Sequence, residues 1–262
     1  MSTCQTKAVG GGGGGAGDER KLVTVMFADI SGFTALSTRM DPEDVRGLMN
    51  RCFDALVPSI DRYGGTIDKF IGDEIMAIFG APVAFENHAE RALRAALEMQ
   101  ESLERFNAAE RSQLEMHVGV NTGTVLAGGV GSAGRRQYSV MGDAVNLAAR
   151  LKEAAGVGTI LAGPATFRLC APLFEFEAKE PMSVKGRPDP ITAYRLLGLL
   201  ADAPRRGAAG FSSPLVGRQV ELLTLRGAVD ALSAGTGSVV SIVGDPGLGK
   251  SRLVSELRRS VE

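Results

Sequence analysis

Between Leu22 and Val120 the spacing of apolar residues switches back and forth between the strand period and the helix period, and that order restricts the fold more than any other property of the chain. Residues 22–28, LVTVMFA, form an unbroken apolar run rich in Val, Leu and Phe, the pattern of a buried strand, and it ends at a carboxylate, Asp29. A helix follows. Asp41 is placed to cap it, Pro42 suits its first position, and Val45, Leu48, Met49, Cys52, Leu56 and Ile60 recur on one face until Gly64-Gly65 stops it. Residues 66–70 and 75–79 read as two short strands around Ile71-Gly72-Asp73-Glu74, a tight hairpin turn. Residues 87–107 carry Leu93, Ala96, Leu97, Gln100 and Leu103 at helical spacing, and Leu114, Met116, Val118 and Val120 then alternate as a strand. The order is βαββαβ, which predicts an α+β fold with a ferredoxin-like core whose first and third strands are the adjacent central pair.

Beyond this core the sequence predicts a glycine-rich loop over residues 123–134, a helix beginning near Gly142, and a strand-rich tail up to Leu196 that extends the sheet. The run Gly10 to Gly15 buries nothing that would offset its backbone entropy, so residues 1–20 are expected to form a flexible tail. Residues 198–214 shift to Ala, Gly, Pro and Arg without periodicity and read as a linker between a unit over 21–197 and a second over 215–262. In that second unit residues 239–243 read as a strand, GDPGLGKS occupies 244–251, and a helix follows. The further strands of a P-loop domain are not seen, so this end is expected to be an incomplete α/β fragment.

The chain has 262 residues, 44% apolar and 23% charged, which excludes wholesale disorder and a fibrous fold. With 29 basic and 30 acidic residues its net charge of -1 exerts no whole-chain pull on nucleic acid or anionic membrane. No apolar run reaches the roughly 18 residues of a membrane span, and no secretory signal is evident, so a cytoplasmic protein without a membrane span or nucleic-acid partner is expected. Cys4, Cys52 and Cys170 are odd in number, widely spaced and free of any CxxC pair, and read as reduced thiols without zinc.

Asp29 at the end of the first strand and Asp73 in the hairpin turn belong to strands expected to be neighbours. Convergent carboxylates at a sheet end make a hard-oxygen site for Mg²⁺ or Mn²⁺, while a helix cap and an ordinary turn residue are the plainer readings of the same two positions.

Four ordered segments add to this: FADISGFTALS at 27–37, DKFIGDEIMAIFG at 68–80, VGVNTGTVLAGGVG at 118–131 and YSVMGDAVNLAARL at 138–151. Together, and with VKGRPDPITAYRL closing the region, they resemble the catalytic domain of class III nucleotidyl cyclases over residues 22 to about 197. The resemblance implies conversion of ATP to cyclic AMP, or GTP to cyclic GMP, in homodimers whose active sites lie across the interface. Matched motif by motif, it assigns Asp29, Asp73 and the backbone carbonyl of Ile30 to two divalent metal ions per site. It assigns the N–H groups of Gly32, Phe33 and Thr34 to the triphosphate, which suits a helix N-terminus. It further assigns Asn146 and Arg150, on one helix face, to the ribose and the transition state. Lys185 matches a lysine that contacts the terminal phosphates; Arg135 and Arg136 are placed either to assist the phosphates or to face solvent, and the second reading is preferred. His88 and His117 are read as structural, on a helix start and a strand. The aspartates would come from one subunit and Lys69, Ser139, Asn146 and Arg150 from the other.

Base choice follows from donors and acceptors. Lys69 matches the purine-selecting lysine, and an ammonium has three donors and no acceptor. It suits N1 of adenine and opposes the N1–H of guanine, a mismatch of about 1–3 kcal/mol when buried, or roughly ten- to hundredfold. Ser139 fills the second selecting position, where its hydroxyl accepts from the adenine amino group or donates to guanine O6. The subgroup with Lys and Thr at these positions includes cyclases stimulated by bicarbonate, and Ser139 keeps the hydroxyl without the methyl.

GDPGLGKS fits GxxxxGK[ST] between a strand and a helix, the context in which backbone N–H groups cradle phosphates. Gly244, Gly249, Lys250 and Ser251 carry that pattern, and LVGRQVEL at 215–222 resembles the entry to signal-transduction ATPases. Two alternatives to an adenylyl cyclase stand beside it: a guanylyl cyclase, for which an acid at position 69 is expected, and a non-catalytic cyclase-like regulatory module of a P-loop ATPase.

Overall fold

The computed structural model describes residues 19–32, 41–132, 135–183, 189–201, 217–244 and 249–261. The elements run β1 (Glu19–Ser31), α1 (Pro42–Arg62), β2 (Thr66–Ile71), β3 (Glu74–Phe79), α2 (His88–Glu110), β4 (Glu115–Ser132), β5 (Arg135–Met141) and α3 (Asp143–Ala154). They continue with β6 (Ile160–Ala162), α4 (Pro164–Cys170), β7 (Phe174–Ala178), β8 (Tyr194–Leu199), α5 (Gln219–Ser233) and α6 (Lys250–Val261). The strand order is β2-β3-β1-β4-β6-β8-β7, with β5 paired to β4, so the expected α+β core and its extended sheet are both present.

β1 lies antiparallel to both β3 and β4 at the centre of the sheet. Its two faces enter different cores. Met26, Ala28 and Ile30 pack with Cys52, Leu56 and Ile60 of α1 and Leu93, Ala96 and Met99 of α2. Val23, Val25 and Phe27 pack with Met76, Ile78 and Val125 and with Ala144 and Ala148 of α3. Burial on both faces is why β1 reads as a continuous apolar run instead of an alternating one. The turn between β2 and β3 is as tight as its sequence demands, with Gly72 at φ 68°.

Three expectations change. Residues 123–132 are not a loop: β4 continues to Ser132 and forms a hairpin with β5. Gly123 serves packing, because a Cβ on it would lie 2.7 Å from the Ala144 Cβ, and so does Gly119 earlier in β4, where a Cβ would collide with the Ala148 carbonyl and the Lys152 backbone nitrogen. Missing side chains let α3 settle directly on the strand. The expected tail also gives way at Glu19 and Arg20, which are already in β1, opposite Ala127 and Leu126. Finally, residues 239–243 pair with no strand among the described residues, and Val239 and Val243 are 101% and 90% exposed. A strand needs a partner for its backbone groups, and among the described residues this segment has none, although Val240 and Ile242 line a cavity with Leu225 and Val229 of α5 and Val254 and Leu257 of α6.

No helix among the described residues is long and apolar enough to cross a membrane. Cys52 and Cys170 are buried free thiols, both pushed up to about 12 by burial and so protonated and inert, as the spacing suggested; Cys4 lies outside the described residues.

Candidate active site

One corner of the sheet gathers the first group of candidate residues. Asp29 sits opposite Glu74 of β3 and His117 of β4. The N–H of Ile30 donates to the carbonyl oxygen of Asp73 at 3.2 Å, which ties the end of β1 to the β2–β3 turn. The Lys152 ammonium, from α3, lies 3.4 Å from Asp29 Oδ2 and 3.2 Å from Glu74 Oε1, and His117 Nε2 lies 3.2 Å from Asp29 Oδ2. Burial pushes the Glu74 carboxyl above its ordinary value; Lys152 pulls it down, while Asp29 and Asp73 push it further up. Burial works to lower Lys152, but Glu74 and Asp29 outweigh it and hold the ammonium above its usual value.

This corner suits a divalent cation. The Asp29 and Glu74 carboxylates meet here, Asp73 lies in the adjoining turn, and the negative charge already draws in a lysine from a neighbouring helix; carboxylate oxygens of this kind could hold a hard cation. Among the described residues no cluster of three or more His, Cys, Asp or Glu side chains is arranged to hold a metal. His117, read from the sequence as structural, is part of this corner, as are Lys152 and Glu74. Sequence patterning gave no hint of this because all three come from elements joined only by the sheet register and the packing of α3.

A second group forms around Asp68. The register of β2 against β3 shifts between Ile67 and Lys69, which makes Asp68 the extra residue of a bulge. Lys69 Nζ lies 2.9 Å from Asp68 Oδ2, and Ser139 of β5 donates its hydroxyl to the same oxygen at 3.0 Å. The Lys69 side chain is half exposed, but Ser139 is only 6% exposed and the Asp68 side chain 1%. Asp68 Oδ1 is buried with no hydrogen-bond partner among the described residues. The sequence signal for Asp68 was a carboxylate one residue before Lys69, inside a strand.

Asn146 and Arg150 both lie on the exposed face of α3, opposite buried Ala144, Leu147, Ala148 and Leu151. The Arg150 guanidinium donates to Glu153 Oε2 on the same helix at 2.6 Å. Among the described residues no contact joins either side chain to Asp29 or Asp73. Gly32 ends β1 at φ 105°, a conformation that favours glycine. Phe33, Thr34, Lys185 and the side chains of Arg135 and Arg136 lie outside the described residues. So do positions 245–248 of the GDPGLGKS segment and the Ser251 side chain. Lys250 Nζ donates to the Gly244 carbonyl at 2.8 Å, and Gly249 precedes α6 at φ 76°. His88, unlike His117, is part of the core: its Nδ1 meets Thr24 Oγ1 at 2.7 Å, and Thr24 continues to Thr122 and Thr166.

The sheet order, the acidic corner and the Lys69–Ser139 pair together define a nucleotidyl cyclase catalytic domain. Residues 17–198 match the family described as Adenylate and Guanylate cyclase catalytic domain, and the chain belongs to it. Residues 214–262 match a second family, the AAA ATPase domain. Over 187 residues the chain is 37% identical to Adenylate cyclase 1 of Rhizobium meliloti, an alignment that covers 69% of this chain and 28% of that protein. The chain thus spans about a quarter of the length of the curated relatives it matches. A solved adenylyl cyclase from P. aeruginosa superposes with a TM-score of 0.68 at 32% identity, covering 71% of this chain and 99% of that one. A solved guanylyl cyclase does so at 0.66 and also 32%, covering 72% and 98%. Equal likeness to an adenylyl and a guanylyl enzyme means that the backbone does not choose the base. Side chains must.

Proposed function

We propose that residues 21–197 act as an adenylyl cyclase, converting ATP to 3′,5′-cyclic AMP and pyrophosphate in sites shared between two copies of the chain. The observation that carries this reading is the Lys69 ammonium beside the buried Ser139 hydroxyl, both held by Asp68. A donor-only ammonium suits N1 of adenine and opposes the N1–H of guanine. In the reaction the 3′-hydroxyl gives up its proton to solvent as its oxygen forms a bond to the α-phosphorus, the bond from that phosphorus to the bridging oxygen breaks, and pyrophosphate leaves with the electron pair.

Asp29, Asp73 and the Ile30 carbonyl would hold two divalent cations, Mg²⁺ or Mn²⁺, which when bound make the 3′-hydroxyl more acidic and offset triphosphate charge. The N–H groups of Gly32, Phe33 and Thr34, with Lys185, would receive the phosphates. Asn146 orients the ribose. Arg150 meets charge that grows on the phosphoryl oxygens, so its contact is stronger in the transition state than in the ground state.

Sharing of the site is supported by the outward position of Asn146 and Arg150, away from the acidic corner of their own chain. It is also supported by exposed apolar residues beside the base-selecting pair: Phe70 and Ile71 follow Lys69, and Leu126 pairs with Met141 across β4 and β5. In this reading residues 198–214 link the cyclase to the start of a P-loop unit over 215–262, and the protein works in the cytoplasm without a nucleic-acid partner. The test is incubation of the purified chain with Mn²⁺ and either ATP or GTP. Cyclic AMP is expected to predominate. Predominant cyclic GMP supports the guanylyl alternative, and no product from a confirmed dimer supports the regulatory one.

A further inference from the structure

A hydroxyl has one proton and two lone pairs, and what it offers a ligand depends on where its proton already goes. Ser139 donates that proton to Asp68 Oδ2 at 3.0 Å, and the same oxygen lies 2.9 Å from the Lys69 ammonium. Because an ammonium has donors only, its contact requires that oxygen to be an acceptor, so the hydroxyl proton belongs to the serine. With the proton committed, Ser139 has lone pairs alone for anything else that reaches it. The arrangement is built in. Asp68 is the bulge residue of β2, so its side chain and that of Lys69, which would leave opposite faces of a regular strand, meet on one side. The Asp68 side chain is 1% exposed, so bulk water does not compete for its oxygen.

We infer that Asp68 is a positioning residue that sets the hydrogen-bond polarity of the nucleobase pocket, by holding the Ser139 proton and leaving Ser139 an acceptor for the exocyclic amino group of adenine. The inference rests on the reading that Lys69 and Ser139 face the base. Ser139 alone is neutral between an amino group and a carbonyl; Asp68 removes that neutrality. Adenine then finds a donor at N1 and an acceptor at its amino group, whereas guanine finds a donor against N1–H and an acceptor against O6.

The test measures kcat/KM for ATP and for GTP in the full chain and in five variants. Asp68→Ala frees the Ser139 proton for guanine O6, and the ATP-to-GTP ratio is expected to fall about tenfold, chiefly through better use of GTP. Asp68→Asn restores the ratio, because its amide oxygen still accepts from Ser139 and Lys69. Ser139→Ala also lowers the ratio, and adding Asp68→Ala to it changes the ratio no further. Should the alanine variant not stay folded, Asp68→Leu fills the volume without an acceptor and carries the same expectation. An unchanged ratio in the Asp68→Ala or Asp68→Leu variant, while the parent makes cyclic AMP, overturns this inference and leaves the cyclase reading standing. A fall of the same size in the Ser139→Ala background overturns it too, since the effect would then run through Lys69. A parent chain that makes no cyclic nucleotide overturns both.

Discussion

The backbone N–H of Ile30 donates to the carbonyl oxygen of Asp73 at 3.2 Å. This hydrogen bond ties the end of β1, which carries Asp29, to the β2–β3 turn, which carries Asp73, so the two positions are held together by the backbone.

Replacing Asp29 by Asn keeps the shape of that corner and removes a charged oxygen. Cyclic AMP formation is expected to fall by about a hundredfold or more with little change in fold, because on the proposed reading the divalent cations that offset transition-state charge would be held less tightly. Arg150→Ala is expected to be comparably inactive, and mixing the two variants to restore activity through one intact composite site per heterodimer. Inactive mixtures in which heterodimers are demonstrated by native mass spectrometry would count against a shared site.

Lys152 is the cation of the acidic corner in the unliganded chain, within 3.4 Å of Asp29 and 3.2 Å of Glu74. Lys152→Met leaves partly buried carboxylates facing each other, at a cost of about 1–3 kcal/mol. At about 2–4 °C per kcal/mol for a domain of this size, the melting temperature without divalent ions drops measurably. Mn²⁺ is then expected to raise the melting temperature more in the variant than in the parent. Identical metal-induced shifts in the two proteins would refute this picture of the corner.

Gly119→Ala places a Cβ against the Ala148 carbonyl and the Lys152 backbone nitrogen, so α3 must move off β4. Overpacking of this kind costs about 1–3 kcal/mol, and it displaces the helix that carries Asn146 and Arg150. Both thermal stability and cyclase activity are expected to fall. Gly198→Ala, with nothing within 4 Å of its added Cβ, is the control that changes neither.

His88 is buried and hydrogen-bonded to Thr24, and burial holds its imidazolium form below its ordinary value of 6.5. The unfolded chain therefore takes up a proton before the folded chain does. The stability from the neutral ring is complete above the unfolded value and is lost as pH falls from there through the folded value. Urea midpoints measured from about pH 7.5 down to about pH 5 are expected to decline in the parent. His88→Asn is expected to flatten that decline while lowering stability overall. An equally steep decline in the variant would place the pH dependence elsewhere.

Much of the fold was legible because it depends on local periods. The β1 run, the one-sided apolar face of α1 and the Gly72 turn each state their element without reference to a partner. Illegible were features that depend on what lies across a gap. Gly123 looked like part of a glycine-rich loop, yet it is a strand residue without a side chain where α3 packs, as Gly119 is within the stretch already read as a strand. Residues 239–243 have a strand's composition, but composition supplies no partner for backbone hydrogen bonds.

The order of elements and the pairing of Asp29 with Asp73 followed from the chain alone, because residue type and spacing are local properties, while Lys69, Ser139, Asn146 and Arg150 were singled out by the resemblance of their motifs to the cyclase family. Tertiary structure alone decided that Lys152 and His117 join Asp29, and that a bulge turns Asp68 toward both Lys69 and Ser139. Those relationships depend on strand register and helix packing. They set which proton goes to which oxygen, and a one-dimensional pattern does not contain that distance.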